Sequence, residues 1–170
     1  MEYYFTEDYK NGKQSEKDSQ PDLQEIFNDN NLILDEDVFA NFDFYSDVRC
    51  VELKTRFNTK LEDGKIIHIK RDGEEIELDS LMFDTIKMQS AGRYNRAHEP
   101  KEFFIVWKLQ DNIYGYWKID TSKKNIEYTR QDVSGNMGFG CIQRRDTITV
   151  LKEFITFVTI DKNNGSVIFL

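Results

Sequence analysis

Apolar positions along the chain recur with two different periods, and each switch of period marks an expected element. A two-residue alternation fills the run Phe42-Asp43-Phe44-Tyr45-Ser46-Asp47-Val48-Arg49-Cys50-Val51-Glu52-Leu53-Lys54, which reads as two strands around a short polar turn. Residues 65–78 repeat that pattern, with Ile66 to Ile69 and Ile76 to Leu78 flanking the Gly-containing turn Arg71-Asp72-Gly73-Glu74. Two further strands are expected at residues 103–109 and 113–119, with Asp111-Asn112 as the turn between them.

Helical spacing comes in two places. Ser15 can cap a first helix whose apolar stripe is Leu23, Ile26 and Phe27, and Asn28 to Asn31 end it. Pro21 either kinks that helix or marks its effective start. Asp79-Ser80 can cap a second helix to about Ala97, with Phe83, Ile86, Ser90, Tyr94 and Ala97 on one face and Gln89, Arg93 and Arg96 on another. Residues 1–14 form a polar lead-in with a short strand at Glu2 to Phe5. Residues 58–63 read as a loop, 120–131 as a polar stretch and 135–140 as a flexible Gly-rich loop. Thr147 to Ile160 is rich in β-branched residues, and Gly165 permits a turn into Val167 to Leu170. The order helix, strands, helix, strands predicts an α+β (α/β) fold: one central mixed β-sheet flanked by helices. One domain spanning 1–170 is expected, with 121–170 extending the sheet.

Composition narrows the class. Hydrophobic residues make 39% of 170, with thirteen Phe and eight Tyr, so a packed core is expected. No stretch approaches the roughly 20 apolar residues of a membrane span. The N-terminus lacks the basic and apolar regions of a signal peptide. Two cysteines, Cys50 and Cys141, read as free thiols. A cytoplasmic setting is expected, which includes the cytoplasm of a cell infected by a virus or phage. Net charge is −8, but residues 1–47 hold thirteen acids and three lysines, and 48–170 hold eighteen acids and twenty bases. The nets of −10 and +2 argue against a nucleic-acid coating protein while leaving room for a local groove.

The first hairpin carries the chemistry. Glu52 and Lys54, two apart in a strand, share a face. If Tyr45 pairs with Cys50, Asp43 falls opposite Glu52, roughly 5 Å away between Cβ atoms, where like charges repel. A divalent cation between the two carboxylates relieves that repulsion. An acid followed two residues on by Lys occurs four times, at Asp8, Glu52, Asp63 and Glu99. Only Glu52 sits in an alternating apolar strand with a partner acid just upstream; the alternative for any one copy is a solvated ion pair. With two histidines, His68 and His98, far in sequence from either cysteine, a zinc site is not expected. There is no Gly-rich phosphate loop either.

This order of elements, with Asp43 in one strand and Glu52-Leu53-Lys54 in the next, resembles the PD-(D/E)xK nuclease superfamily, the restriction-endonuclease-like fold, over roughly residues 10–120. Phe42 stands where that pattern often has Pro. The resemblance implies a metal-dependent endonuclease acting on DNA. Asp43, Glu52 and the Leu53 carbonyl would hold Mg²⁺ or Mn²⁺, both of which favour oxygen ligands. Lys54 would orient the attacking water and offset transition-state charge. Glu16, on the first helix, is the expected third acid, with Glu25 the alternative. Gln89 and Tyr94 look similar to a Gln and an aromatic that some such nucleases carry as substrate contacts; Arg93 and Arg96 on the same helix are candidate phosphate contacts, and Arg56, Lys60, Arg144 and Arg145 are further phosphate candidates. A homodimer is compatible with cutting both strands. The competing expectation is a catalytically inactive protein of the same fold that binds a partner through its acidic first 47 residues.

Overall fold

Period-two burial builds most of the molecule. A computed structural model describes residues 7–37, 40–119, 126–134 and 142–170. Its largest unit is a seven-stranded mixed sheet of β1 (Ile33–Leu34), β2 (Phe44–Tyr45), β3 (Arg49–Thr55), β8 (Glu102–Lys108), β9 (Ile113–Lys118), β12 (Thr156–Ile160) and β13 (Val167–Phe169), in that spatial order. β3 and β8 are parallel, and every other neighbouring pair is antiparallel. The chain between β3 and β8 supplies β4 (Thr59–Glu62), β5 (Lys65–Ile69), β6 (Glu75–Leu78), β7 (Ser80–Asp84) and helix α2 (Thr85–Ala97). β4, β5 and β6 form a meander, and β7 pairs with β11 (Ile142–Leu151), which pairs with β10 (Ile126–Ser134).

Both faces of the large sheet are covered. Helix α1 (Glu7–Phe27) lays Leu23 on one face, against Val51, Leu53, Phe104, Val106, Tyr114 and Val158. Polar contacts fix it there: Ser15 Oγ lies 2.8 Å from Thr55 Oγ1, and the buried Tyr114 hydroxyl donates to Asp22 Oδ2 at 2.6 Å. Burial and the Asp22 carboxylate push the Tyr114 phenol well above its usual range. No basic residue lies in the last turn of α1, so Arg49 of β3 donates instead to the Phe27 carbonyl at 2.8 Å. The other face of the sheet packs Ile105, Trp107 and Trp117 against Phe83, Met88, Ile148 and Val150. Trp107 Nε1 donates to the Met82 carbonyl at 2.9 Å, which satisfies the indole of a fully buried ring.

Several boundaries differ from the sequence expectation. Helix α1 begins at Glu7 rather than Ser15, so residues 7–14 of the expected lead-in are helical, and the helix continues through Pro21. The expected strand at Glu2 to Phe5 lies outside the described residues. The helix expected from Asp79-Ser80 is two elements. Leu81 and Phe83 are buried while Ser80, Met82 and Asp84 are less so, a strand alternation stabilised by the pairings Ile148↔Phe83 and Val150↔Leu81. Helix α2 then starts at Thr85, with Asp84 at its N-cap in extended conformation. The expected loop at 58–63 contains β4, paired with β5. The polar stretch 120–131 runs into β10, whereas the expected loop at 135–140 lies outside the described residues. The Asp111-Asn112 turn stands as expected, with φ of 59° and 54°, a left-handed conformation that Asp and Asn tolerate.

Candidate active site

The hairpin register sets the site. Phe44 pairs with Val51 and Tyr45 with Cys50, and the Ser46 N–H donates to the Arg49 carbonyl at 2.9 Å. Extending this register by one residue sets Asp43 opposite Glu52. In an antiparallel ladder every second residue directs both its N–H and its C=O to the partner strand. Arg49, Val51 and Leu53 therefore direct theirs toward β2. At Leu53 the partner changes, because its N–H donates to Asp43 Oδ2 at 2.8 Å. The carboxylate takes the place of the main-chain acceptor that a longer β2 would offer, and the Leu53 carbonyl is left directed at the same edge.

Glu52 is only 3% exposed. Its Oε1 lies 2.5 Å from Lys54 Nζ, and its Oε2 lies 3.0 Å from Lys87 Nζ. Lys87 comes from α2; it also donates to the Asn41 carbonyl and sits 5.5 Å from the centre of the Phe42 ring. Although Oε2 faces a cation, it accepts no hydrogen bond. Helix α1 brings Glu16, paired with Lys13 at 2.8 Å, close enough for its charge to act on Asp43. The Asp43 carboxyl is pushed from 3.8 up to about 7, first by burial and then by the Glu52 and Glu16 charges. The Leu53 N–H and Lys54 oppose that rise.

Whether these residues suit a divalent cation turns on the donors. Among the described residues no three His, Cys, Asp or Glu side chains converge on one point, so Glu16, Asp43 and Glu52 do not form a closed three-acid shell. Two carboxylates and one main-chain carbonyl remain, and that is a set Mg²⁺ accepts, since it binds one or two carboxylates and keeps several waters. The buried Oε2 accepts no hydrogen bond in good geometry, but the Lys87 ammonium 3.0 Å away stands where a cation would approach it. Asp43, Glu52 and the Leu53 carbonyl are the oxygens on which a hard cation could draw, once the lysines at Glu52 give way, with Glu16 at the margin of the site.

No protein-family model, curated protein or solved structure matches the chain.

The other expected contacts divide. Tyr94 lies on the inner side of α2, its ring 5.7 Å from Phe103 and 4.6 Å from His98. Gln89, Arg93 and Arg96 are all exposed on that helix, away from the side carrying Lys87, Ser90 and Ala91. Arg56 follows the end of β3 and donates to the Thr55 carbonyl at 3.3 Å. Burial lowers its guanidinium pKa, and the Asp84 charge works against that lowering. Lys60 is taken by Glu62 and Glu75, each at 2.9 Å. Glu25 is exposed on α1. Arg144 and Arg145 belong to β11, but their side chains lie outside the described part of the molecule, as does Cys141. Cys50 is a free, half-buried thiol. Among the described residues no helix is long and apolar enough to cross a membrane.

Lys87 is the site residue that the sequence reading missed. The helical spacing Lys87, Ser90, Ala91, Tyr94 was present in the sequence, but nothing local to α2 says which segment that stripe will face.

Proposed function

We propose that this chain is a metal-dependent nuclease with a restriction-endonuclease-like arrangement, hydrolysing phosphodiester bonds of DNA as an endonuclease. The supporting observation is the opposition of Asp43 and Glu52 where the β2–β3 ladder stops, with the Lys54 ammonium 2.5 Å from Glu52. A half-buried and a buried acid held opposite one another repel, and a cation shared between them would relieve that repulsion. Asp43, Glu52 and the Leu53 carbonyl would hold Mg²⁺ or Mn²⁺, which supplies Lewis-acid stabilisation of phosphate oxygens and an acidified water.

The chain's own groups do the rest. Glu52 is buried beneath the lysines of β3 and α2, which strengthens the charge interactions it makes. Lys54 and Lys87 hold the two oxygens of Glu52 apart and in place. Lys54, whose ammonium stands beside Glu52 Oε1, would offset negative charge developing on a phosphate held at the two acids. Lys suits this position better than Arg, because an ammonium can also give up a proton. Glu16, at the edge, can orient water from the α1 side.

The test is incubation with plasmid, linear, branched and single-stranded substrates in Mg²⁺ or Mn²⁺. Cleavage lost in both Glu52→Ala and Lys54→Ala, with circular dichroism unchanged, is the expected result. Absence of cleavage on all substrates, together with no heat of metal binding, overturns the reading. One observation favours a second reading, an inactive binding protein of the same architecture: each oxygen of Glu52 already faces a lysine. Under it, millimolar Mg²⁺ leaves the melting temperature unchanged. A bound cation raises it, by about 2.7 kcal/mol of stability at a hundred times its Kd.

A further inference from the structure

A hollow of 160 Å³ opens beside the acid pair, between the β2–β3 hairpin and α2. We propose that it seats one unstacked nucleobase of the strand being cut, so that the substrate is unpaired at that point. The inference rests on the nuclease reading and names the substrate class of that site.

Position is the first argument. Cys50 lines the hollow and lies two residues before Glu52 on the same face of β3, about 7 Å along the strand. Phe42 lines it too and immediately precedes Asp43. Lys87 ties the two places together, holding the Asn41 carbonyl in the wall of the hollow while facing Glu52 Oε2. A base in the hollow therefore belongs to a nucleotide next to the phosphate at the acids.

Chemistry is the second argument. Phe42 and Phe103, with ring centres 5.0 Å apart, make an apolar aromatic wall, and Tyr45 stands at the rim with 41% of its surface exposed. Ser90, Asn41 and Tyr94 line this space too, and they bring a hydroxyl, an amide and a phenol to its wall. Aromatic walls with a few polar groups are what a base demands, since stacking holds its face and hydrogen bonds read its edge. Asp35 adds a carboxylate to the wall, which disfavours a phosphate there and leaves a neutral planar group as the occupant.

Charge is the third. Duplex binding draws chiefly on phosphate contacts from basic residues. Here the net charge is −8, and Lys13, Lys54, Lys60 and Lys87 are each paired with a carboxylate. Few lysines at the acids are left for phosphates, so stacking of an unpaired base is the added source of affinity that would favour a single strand over a duplex.

Fluorescence anisotropy with a labelled short oligonucleotide, single-stranded or in a blunt duplex, tests this in Ca²⁺, which holds cleavage in check. The single strand should bind roughly tenfold tighter than the duplex. Cys50→Met and Ser90→Met, which fill the hollow from opposite sides, should each bring that ratio close to one; two variants guard against misfolding of either. A ratio near one in the unaltered protein, or a preference that survives both fillings, overturns the proposal. Cleavage of the same oligonucleotides in Mn²⁺ separates the two readings. Glu52-dependent cutting that is equal on both forms refutes the hollow alone. A single-strand preference without any cutting supports the hollow and refutes the nuclease.

Discussion

Asp43 is half-buried, yet its carboxyl is among the groups most strongly shifted from their behaviour in water. Its carboxyl titrates near 7 when folded and at 3.8 in an unperturbed chain. Between those values the folded protein holds a proton that the unfolded chain has lost, so stability from this group is full below about pH 4 and falls as pH rises to 7. Asp43→Asn removes that slope and keeps an oxygen for the Leu53 N–H. The metal-free variant should match the parent at pH 4 and exceed it at pH 8 by on the order of 4 kcal/mol, read from urea unfolding at the two pH values. Lys87→Met works in the opposite sense. It leaves Glu52 Oε2 without its cation and should cost about 2 kcal/mol in metal-free protein. Because no ammonium then has to be displaced, Mn²⁺ should bind more tightly by calorimetry; weaker binding would show that Lys87 does not compete for Glu52. Asp43, Glu52 and Lys54 were legible in the sequence because a hairpin fixes its register over a dozen consecutive residues. Lys87 was not, because it lies far along the chain and no local pattern says which segment its helix face meets.

The two helices show how neighbours override local signals. Pro21 has no N–H to donate to residue 17, and its ring crowds that carbonyl, yet α1 runs unbroken from Glu7 to Phe27. Leu23, fully buried against the sheet, and the Ser15 and Tyr114 contacts hold it. Pro21→Ala should therefore stabilise the protein by up to about 3 kcal/mol, seen as a higher urea midpoint. A loss instead would mean that the helix breaks there. At 80–84, Phe83 satisfies a helical stripe with Ile86 and Ser90 as well as a strand alternation with Leu81. β11 decides between them by offering a ladder, and Ile86 ends 56% exposed. β4 and β10 were unreadable for the same reason: mixed polar sequences become strands when an edge is waiting for them.

Whole-molecule charge separates phosphate contact from metal contact. With most lysines around the site already paired and the net at −8, nucleic acid in EDTA should bind weakly and with a shallow salt slope, about one counterion for each phosphate neutralised. Adding Mn²⁺ should raise affinity without steepening that slope, measured by anisotropy across a salt series; a steep slope in EDTA would point to a basic surface elsewhere. The amino-acid pattern alone was enough to specify the strands of the hairpins, the opposition of Asp43 to Glu52 and the mixed α+β class, because these depend on residues close in the chain and on a period of two. Folding in three dimensions added the parallel alignment of β3 with β8, the burial that lifts Asp43, the arrival of Lys87 and the hollow lined from both β3 and α2. Those arise from contacts between distant segments, whose energies are set by what each face finds opposite it, and no local period encodes that.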